Sequence, residues 1–351
     1  MFLSFAMNFY VFARLCSLFK IKKGLVFWAV VIICTVSLIA ASIFQSFSGN
    51  IVSRIVYAVS AGWYGILWLL FSALIVYEII RLFIKIKPSS AGTLIITVVI
   101  LAAVYSIINA QMVRIKRLKI PGPTDTNIVQ LSDIHIGSVS LNFLERIIDK
   151  TNALNPNMVL ITGDLIDNYN ARTQKAIGLL KNLKASVLFV NGNHEQYVGP
   201  ARVKKLLTAA NVTVLNNQLA DYGQIQVIGV DYSENEKDLE SILEGLNIDK
   251  SKFCILMIHR PVKIETLSKT GIDLALTGHT HAGQIFPFNY IVGLFYPYLS
   301  GLQNHNNTYI YGTSGSGTWG PRMRLGSRSE IVLLQIRKKI FDSCYAFTNQ
   351  G

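Results

Sequence analysis

The chain has 351 residues, 51% of them hydrophobic and 15% charged, with a net charge of +13. That length allows two structural units, and that composition excludes an ordinary soluble globule throughout. The charge is divided: residues 1–119 hold twelve Lys and Arg against one acid, Glu78, and the remainder holds 21 basic and 19 acidic residues. The near-neutral second part is not a nucleic-acid surface, so no nucleic acid is expected as a partner. The basic residues lie beside apolar runs, where they anchor helices at anionic lipid. Cys16, Cys34, Cys254 and Cys344 form no CxxC pair and read as structural thiols, which leaves the compartment open.

In chain order, three runs are apolar enough to span a bilayer, at 25–44, 55–80 and 94–110. Residues 1–19 are also apolar but carry Arg14, so the count is three helices with a fourth open. No small-residue cleavage site points to a signal peptide. The spans hold almost no ionisable group beyond Glu78, which favours an anchor over a transporter, sensor or ion pathway. The positive-inside rule places Arg14, Lys20, Lys22, Lys23, Arg81, Lys85 and Lys87 in the cytoplasm. Parity then puts the second unit of this multi-pass protein on the extracytoplasmic side. Arg114, Lys116, Arg117 and Lys119 argue the other way.

The breaker Pro121-Gly122-Pro123 divides an anchor region, 1–119, from a catalytic region, 120–351. Beyond it, strands are expected at 128–131, 158–162, 186–190, 225–230, 253–258, 274–277, 309–311 and 331–336. Helices are expected at 141–154, 173–183, 201–210 and 239–246. This alternation predicts a mixed α/β fold with buried central strands. Polar residues collect where strands stop: Ser132-Asp133-Ile134-His135, Gly163-Asp164, Asn191-Gly192-Asn193-His194-Glu195, His259, and Gly278-His279-Thr280-His281. Loops at such ends present side chains into a shared crevice.

A lone His on an apolar face is more often a satisfied core residue. Here five of six histidines directly follow a strand, beside Gly-Asp and Gly-Asn turns, which inverts that expectation. Imidazole nitrogen with carboxylate and amide oxygen suits divalent manganese, iron or zinc. Two cations held side by side can clamp a phosphoryl group and acidify a water.

Taken together, SDIH, TGDLID, NGNHE, IHRP and LTGHTHAGQ resemble the calcineurin-like metallophosphoesterase superfamily, in family order across residues 127–285. Within it, the ending GTSGSGTWGPRMRLGSRSEI is similar to the branch with YkuE- and YaeI-like enzymes. The resemblance implies a four-layer αββα sandwich preceded by the helical transmembrane region. It implies one cation held by Asp133, His135, Asp164 and His281, and a second held by Asp164, Asn193, His259 and His279. His194 would be the catalytic residue that contacts phosphate or protonates the leaving group. The implied activity is phosphoester hydrolysis by a two-metal-activated hydroxide.

Arg260, Arg322 and Arg324 are weaker candidates for binding substrate phosphate, and each is as readily a surface or loop arginine. Asp167 is either a partner of a ligand histidine or a solvated turn carboxylate. His305, in a polar loop, reads as surface. The apolar stretch 285–302 is either core or a lip that touches bilayer or acyl chain. With the anchor, the lip makes a small or lipid-linked phosphoester the expected substrate and the bilayer an expected partner. A hydrolase like UDP-2,3-diacylglucosamine pyrophosphatase is the narrower alternative, and a tethered scaffold without turnover the other.

Overall fold

The computed structural model describes residues 1–233 and 236–338; Cys344 lies outside them. Four helices come first: α1 (Phe2–Leu18), α2 (Leu25–Ser48), α3 (Ile51–Ile80) and α4 (Pro88–Gln111). Then follow β1 (Arg114–Gly122), β2 (Thr126–Leu131), α5 (Leu141–Ala153), β3 (Met158–Thr162), α6 (Ala171–Gly178) and β4 (Ser186–Val190). Next come α7 (Asn193–Val198), α8 (Pro200–Ala209), β5 (Val212–Val214), β6 (Gln218–Tyr222), β7 (Ile225–Gly229) and α9 (Glu236–Glu244). The chain continues with β8 (Phe253–Met257), α10 (Ile264–Leu267), β9 (Leu274–Thr277), α11 (Phe288–Val292), β10 (Gly301–His305), β11 (Thr308–Gly312) and β12 (Glu330–Lys338).

The strands form two six-stranded sheets, in the orders β1-β12-β2-β3-β4-β5 and β10-β11-β9-β8-β7-β6. β3, β7, β8 and β9 are buried along their whole length, as strands covered on both faces must be. Apolar residues of both sheets, among them Ile128, Leu160, Val227 and Met257, fill the space between them. Phe143, Ile147, Ile177 and Val203 of α5, α6 and α8 cover the outer face of the first sheet. Leu239 and Leu243 of α9 and Leu267 of α10 cover that of the second. The result is the expected helix–sheet–sheet–helix sandwich. Its helices start where the sequence gives a cap: Ser140 and Asn170 accept from the backbone N–H groups of Phe143 and Thr173.

Four strands lie outside the sequence expectation: β1, β5, β6 and β10. The basic run and the breaker together form β1, which pairs in parallel with β12 from Arg114↔Glu330 to Gly122↔Lys338. Its Lys and Arg at 114, 116, 117 and 119 are exposed along a sheet edge, which such charges protect from pairing with other chains. Pro121 is tolerated there because an edge strand can spare an N–H. The polar loop around His305 is β10, antiparallel to β11.

Three helices, α2, α3 and α4, are long and apolar enough to cross a membrane. The fourth, α1, has 17 residues and would reach about 25 Å, short of a bilayer core of about 30 Å. It lies along the others, and its Arg14 is neutralised by Glu78 of α3 at 2.6 Å.

The helices dock against the loops of the sandwich. Gln45 Nε2 of α2 donates to Gly137 O at 2.9 Å, and Tyr57 of α3 shares a hydrogen bond with Ser138 Oγ at 3.3 Å. Asn109 of α4 donates to the carbonyls of Arg324 and Ser327, and Arg324 N donates to Ser106 O. Gly65 lets α3 approach closely: a Cβ there would stand 2.5 Å from Met323 Sδ. These contacts fix the helices beside the strand ends.

Candidate metal centre

Five strand ends deliver the site. Asp133 and His135 follow β2, Asp164 follows β3, Asn193 and His194 open α7 after β4, His259 follows β8, and His279 and His281 follow β9. Asp133, His135, Asp164, His279 and His281 all have φ between 49° and 75°, a region that side-chain-bearing residues seldom occupy. Such strain persists only where surrounding structure enforces it, and it gathers at functional sites. Close packing explains two glycines. A Cβ on Gly163 would lie 2.6 Å from His259 Nδ1, and one on Gly192 would run into the Asp164 carboxylate.

The side chains converge in two groups. In the first, His135 Nε2 is 3.0 Å from His281 Nε2, and His281 Nε2 is 3.5 Å from Asp133 Oδ1. In the second, His259 Nε2 is 3.2 Å from Asp164 Oδ2 and 3.1 Å from His279 Nδ1. Asp164 Oδ2 is also 3.9 Å from His135 Nε2, so this carboxylate stands between the groups. In each group one donor atom per residue lies within 4.8 Å of the others.

The outward nitrogens are already used. His135 Nδ1 bonds Asp167 at 2.6 Å and His259 Nδ1 donates to Thr162 O at 2.7 Å, so each ring turns its Nε2 inward. Asn193 Oδ1 is buried with no hydrogen-bond partner. Facing imidazole nitrogens, carboxylates and an orphaned amide oxygen fit divalent cations as ligands. His194 differs, because its Nδ1 lies 3.1 Å from Asp167 Oδ1 and 4.0 Å separates its Nε2 from Asp164. Tyr197 and Trp319 flank its ring, and both are exposed.

The close packing of imidazoles and carboxylates shifts their ionisation. Burial disfavours charge on His259, but the charge and hydrogen bond of Asp164 override it and push the imidazole to about 10. Burial and then the His259 charge pull His279 down to about 3. For His194, burial is outweighed by Asp167, which raises the ring to about 9. Burial would raise Asp164, yet His259 holds its carboxyl well below the usual range.

Two residues were not assigned by sequence. Glu195 is fully buried, and its carboxylate accepts from the backbone N–H groups of Asp164, Leu165, Ile166 and Gly192 at 2.7–3.1 Å. It ties the β3 loop to the β4 loop. The available signal was an acid three residues into a helix that opens on glycine. Tyr296, in the apolar stretch, bonds His279 Nε2 at 2.6 Å, and Arg260 stacks on its ring at 5.6 Å. Asp167 is a partner of His135 and not a solvated turn carboxylate.

Arg324 corrects a sequence expectation. It is fully buried beneath His281 and donates to the carbonyls of Gly317, His281 and Ser314 and to Ser327 Oγ. With its N–H groups spent inside the loop, it supports His281 and has nothing to offer a substrate. Arg322 Nε donates to Ser138 O at the edge of the site. The His305 ring hydrogen-bonds the neighbouring Asn306 side chain and lies away from the centre, on β10. The apolar stretch is core only at Ile285 and Tyr298: α11 has no buried residue, and Phe286, Tyr290, Leu294 and Phe295 are exposed.

The family model for calcineurin-like phosphoesterases matches residues 126–283. An uncharacterized metallophosphoesterase of Helicobacter pylori is 38% identical over 226 residues, covering 61% of this chain and 60% of that protein. A transmembrane protein with metallophosphoesterase domain from Bos taurus is 34% identical, covering 61% of this chain and 53% of that protein. The YkuE metallophosphoesterase of Bacillus subtilis is 32% identical, covering 60% of this chain and 78% of that protein. The aligned part thus amounts to little more than half of the Helicobacter and Bos proteins.

Proposed function

This chain belongs to the calcineurin-like metallophosphoesterase family, and from that premise we propose that it hydrolyses a lipid-linked phosphate ester at the membrane surface. The observation that carries the reading is Asp164, a carboxylate placed between two groups of inward-turned imidazoles. Asp133, His135, Asp164 and His281 would hold one divalent cation, and Asp164, Asn193, His259 and His279 the other. Manganese, iron and zinc all suit this donor set. Such cations, when bound, supply a more acidic water and offset charge on phosphoryl oxygens.

The chain's own groups supply the rest. Asp167 orients His194 through Nδ1, leaving Nε2 to give a proton to the departing alkoxide oxygen. Glu195 and Arg324 hold the loops at the geometry the reaction needs. Trp319 and Tyr197 border the entrance on the His194 side. Arg260, carried on the Tyr296 ring, is placed to meet a substrate oxygen near His279.

Lipid-linked substrate is favoured by position. The exposed lip from Phe286 to Phe295 lies beside the helices, where Phe288 meets Trp68 of α3 at 5.3 Å. Residues 1–119 serve as the anchor in this reading, with α2, α3 and α4 crossing. An extracytoplasmic catalytic region is also favoured, because Arg114, Lys116, Arg117 and Lys119 belong to β1 and need not mark a cytoplasmic loop.

The test uses the full chain in lipid nanodiscs, assayed with bis-p-nitrophenyl phosphate and with lipid phosphoesters, including a diacylated sugar pyrophosphate. Manganese-dependent turnover with a preference for the lipid-linked group is expected. Folded protein that turns over nothing with any divalent metal would leave a membrane-tethered scaffold. Preference for soluble esters would overturn the lipid assignment alone.

A further inference from the structure

Three arginines meet where the membrane helices join the catalytic loops, and among the described residues no carboxylate pairs with them. Arg54 is in the first turn of α3, Arg172 in α6, and Arg322 in the Gly-rich segment before β12. Arg172 Nη2 donates to Val139 O at 3.0 Å, and Arg322 Nε donates to Ser138 O. Consecutive carbonyls of one loop therefore bring these two guanidiniums side by side. Tyr57, three residues after Arg54 on α3, shares a hydrogen bond with Ser138 Oγ at 3.3 Å, which brings that end of the helix to the same loop, and the Arg54 charge acts on both guanidiniums. Burial and then the charges of Arg54 and Arg322 lower Arg172 to about 10, and burial and then Arg54 lower Arg322.

Among the described residues no carboxylate neutralises them. Among the described residues none of the three forms an ion pair, in contrast to Arg14 and Arg81, which share Glu78. The Nε atoms of Arg54 and Arg172 are both buried without a hydrogen-bond acceptor. Buried donors left unpaired, and like charges left together, are costly unless a ligand completes them. The planar guanidinium fork matches the oxygens of phosphate.

The place is informative. Ser138, whose carbonyl takes Arg322, donates through its N–H and hydroxyl to Asp167 Oδ2 at 3.0 and 2.8 Å. Asp167 Oδ1 in turn holds His135 and His194. The cluster is thus one residue away from the carboxylate that orients the proposed proton donor. Arg54 also puts it at the end of a helix long and apolar enough to cross a membrane, on the side of the catalytic loops.

We propose that Arg54, Arg172 and Arg322 form a second anion site, separate from the metal centre, that takes a phosphate group. The group can come from the headgroup of an anionic lipid or from free phosphate. Only the lipid source rests on the membrane-facing reading above. Binding itself requires no turnover.

The experiment melts the full chain, stripped of metal with EDTA, in phosphatidylcholine nanodiscs. One arm adds inorganic phosphate, and a second replaces part of the neutral lipid with phosphatidylglycerol. A rise in Tm in either arm is expected, and the arm that gives it names the source. Arg54→Gln and Arg172→Gln should each weaken the response about tenfold in concentration, the loss of one charged hydrogen bond. Without anion, Arg54→Gln should melt no lower than the parent chain, because it removes an uncompensated charge. No stabilisation in either arm would overturn the site. So would a response of equal size in the parent chain and both variants. Failure of the hydrolytic reading would appear separately, as absent turnover in manganese.

Discussion

The strand-end centre and the helix seam gather charge in opposite ways. At the centre, carboxylates and imidazoles compensate one another: Asp164 lies 3.2 Å from His259, Asp167 2.6 Å from His135, and Glu195 accepts four backbone donors. At the seam, Arg54, Arg172 and Arg322 have carbonyls or nothing. The centre therefore carries its own compensating charges. The seam has no internal substitute for an anion. The contrast teaches that one region balances its charge internally, whereas the other leaves positive charge unbalanced among the described residues.

The comparison breaks first at Asp164. Asp164→Asn keeps the size of the side chain but removes the negative charge between the two imidazole groups. Hydrolysis of bis-p-nitrophenyl phosphate should fall about a thousandfold, the scale of losing one principal electrostatic contact in a transition state. Bound manganese, measured by elemental analysis, should fall with it. Full metal content and full rate would show that Asp164 is not shared.

Glu195 sets the next effect, on stability. Glu195→Ala leaves four buried N–H groups without an acceptor and separates the β3 loop from the β4 loop. A loss of about 3–5 kcal/mol in thermal or denaturant unfolding of the full chain is expected. Glu195→Gln, which keeps one acceptor oxygen, should lose less. Equal losses in the two would mean that packing, and not the carboxylate, holds the loops together.

The unequal legibility of these regions has a physical cause. Asp133, His135, Asp164, His259 and the His279–His281 pair were legible because each follows a buried apolar strand, and strand ends in an α/β fold converge. Their chemistry depends on residue type and local spacing, which a sequence displays. Glu195 acts through backbone donors 29–31 residues away, and such a partner carries no side-chain signature. Arg324 looked like a phosphate ligand because a Gly-rich loop surrounds it, but the same loop turns its carbonyls inward and consumes the guanidinium. Residues 114–119 looked like a lipid anchor because charge beside an apolar helix usually is one. Their pairing with β12 is set by residues more than 200 positions away, beyond any local pattern. Arg54 drew no notice because its neighbours come from α6 and the loop before β12.

The lip offers a smaller effect that separates lipid from soluble substrate. Leu294 and Phe295 are 81% and 72% exposed, which in water is an uncompensated apolar surface. Leu294→Ser with Phe295→Ser should raise KM for a vesicle-borne phosphoester about tenfold, a partial share of the burial of two large side chains. Turnover of bis-p-nitrophenyl phosphate should not change. A parallel loss on both substrates would mean that these residues support the loop that carries Tyr296.

The smallest effect tests whether the helices act on the centre or only hold it at the membrane. Gln45 donates from α2 to Gly137 O, in the loop between His135 and Ser138. Gln45→Leu leaves that carbonyl unpaired in a buried place, at a cost of about 1 kcal/mol. If the helix fixes the loop that presents His135, kcat on the soluble diester should fall two- to fivefold, with Tm lowered by a few degrees. The kcat loss carries the argument: Gln45 touches no group of the centre, so its influence must pass through the backbone of residues 135–138. A lower Tm with kcat unchanged would make α2 a tether alone, and the seam would then be a binding surface with no say in the chemistry.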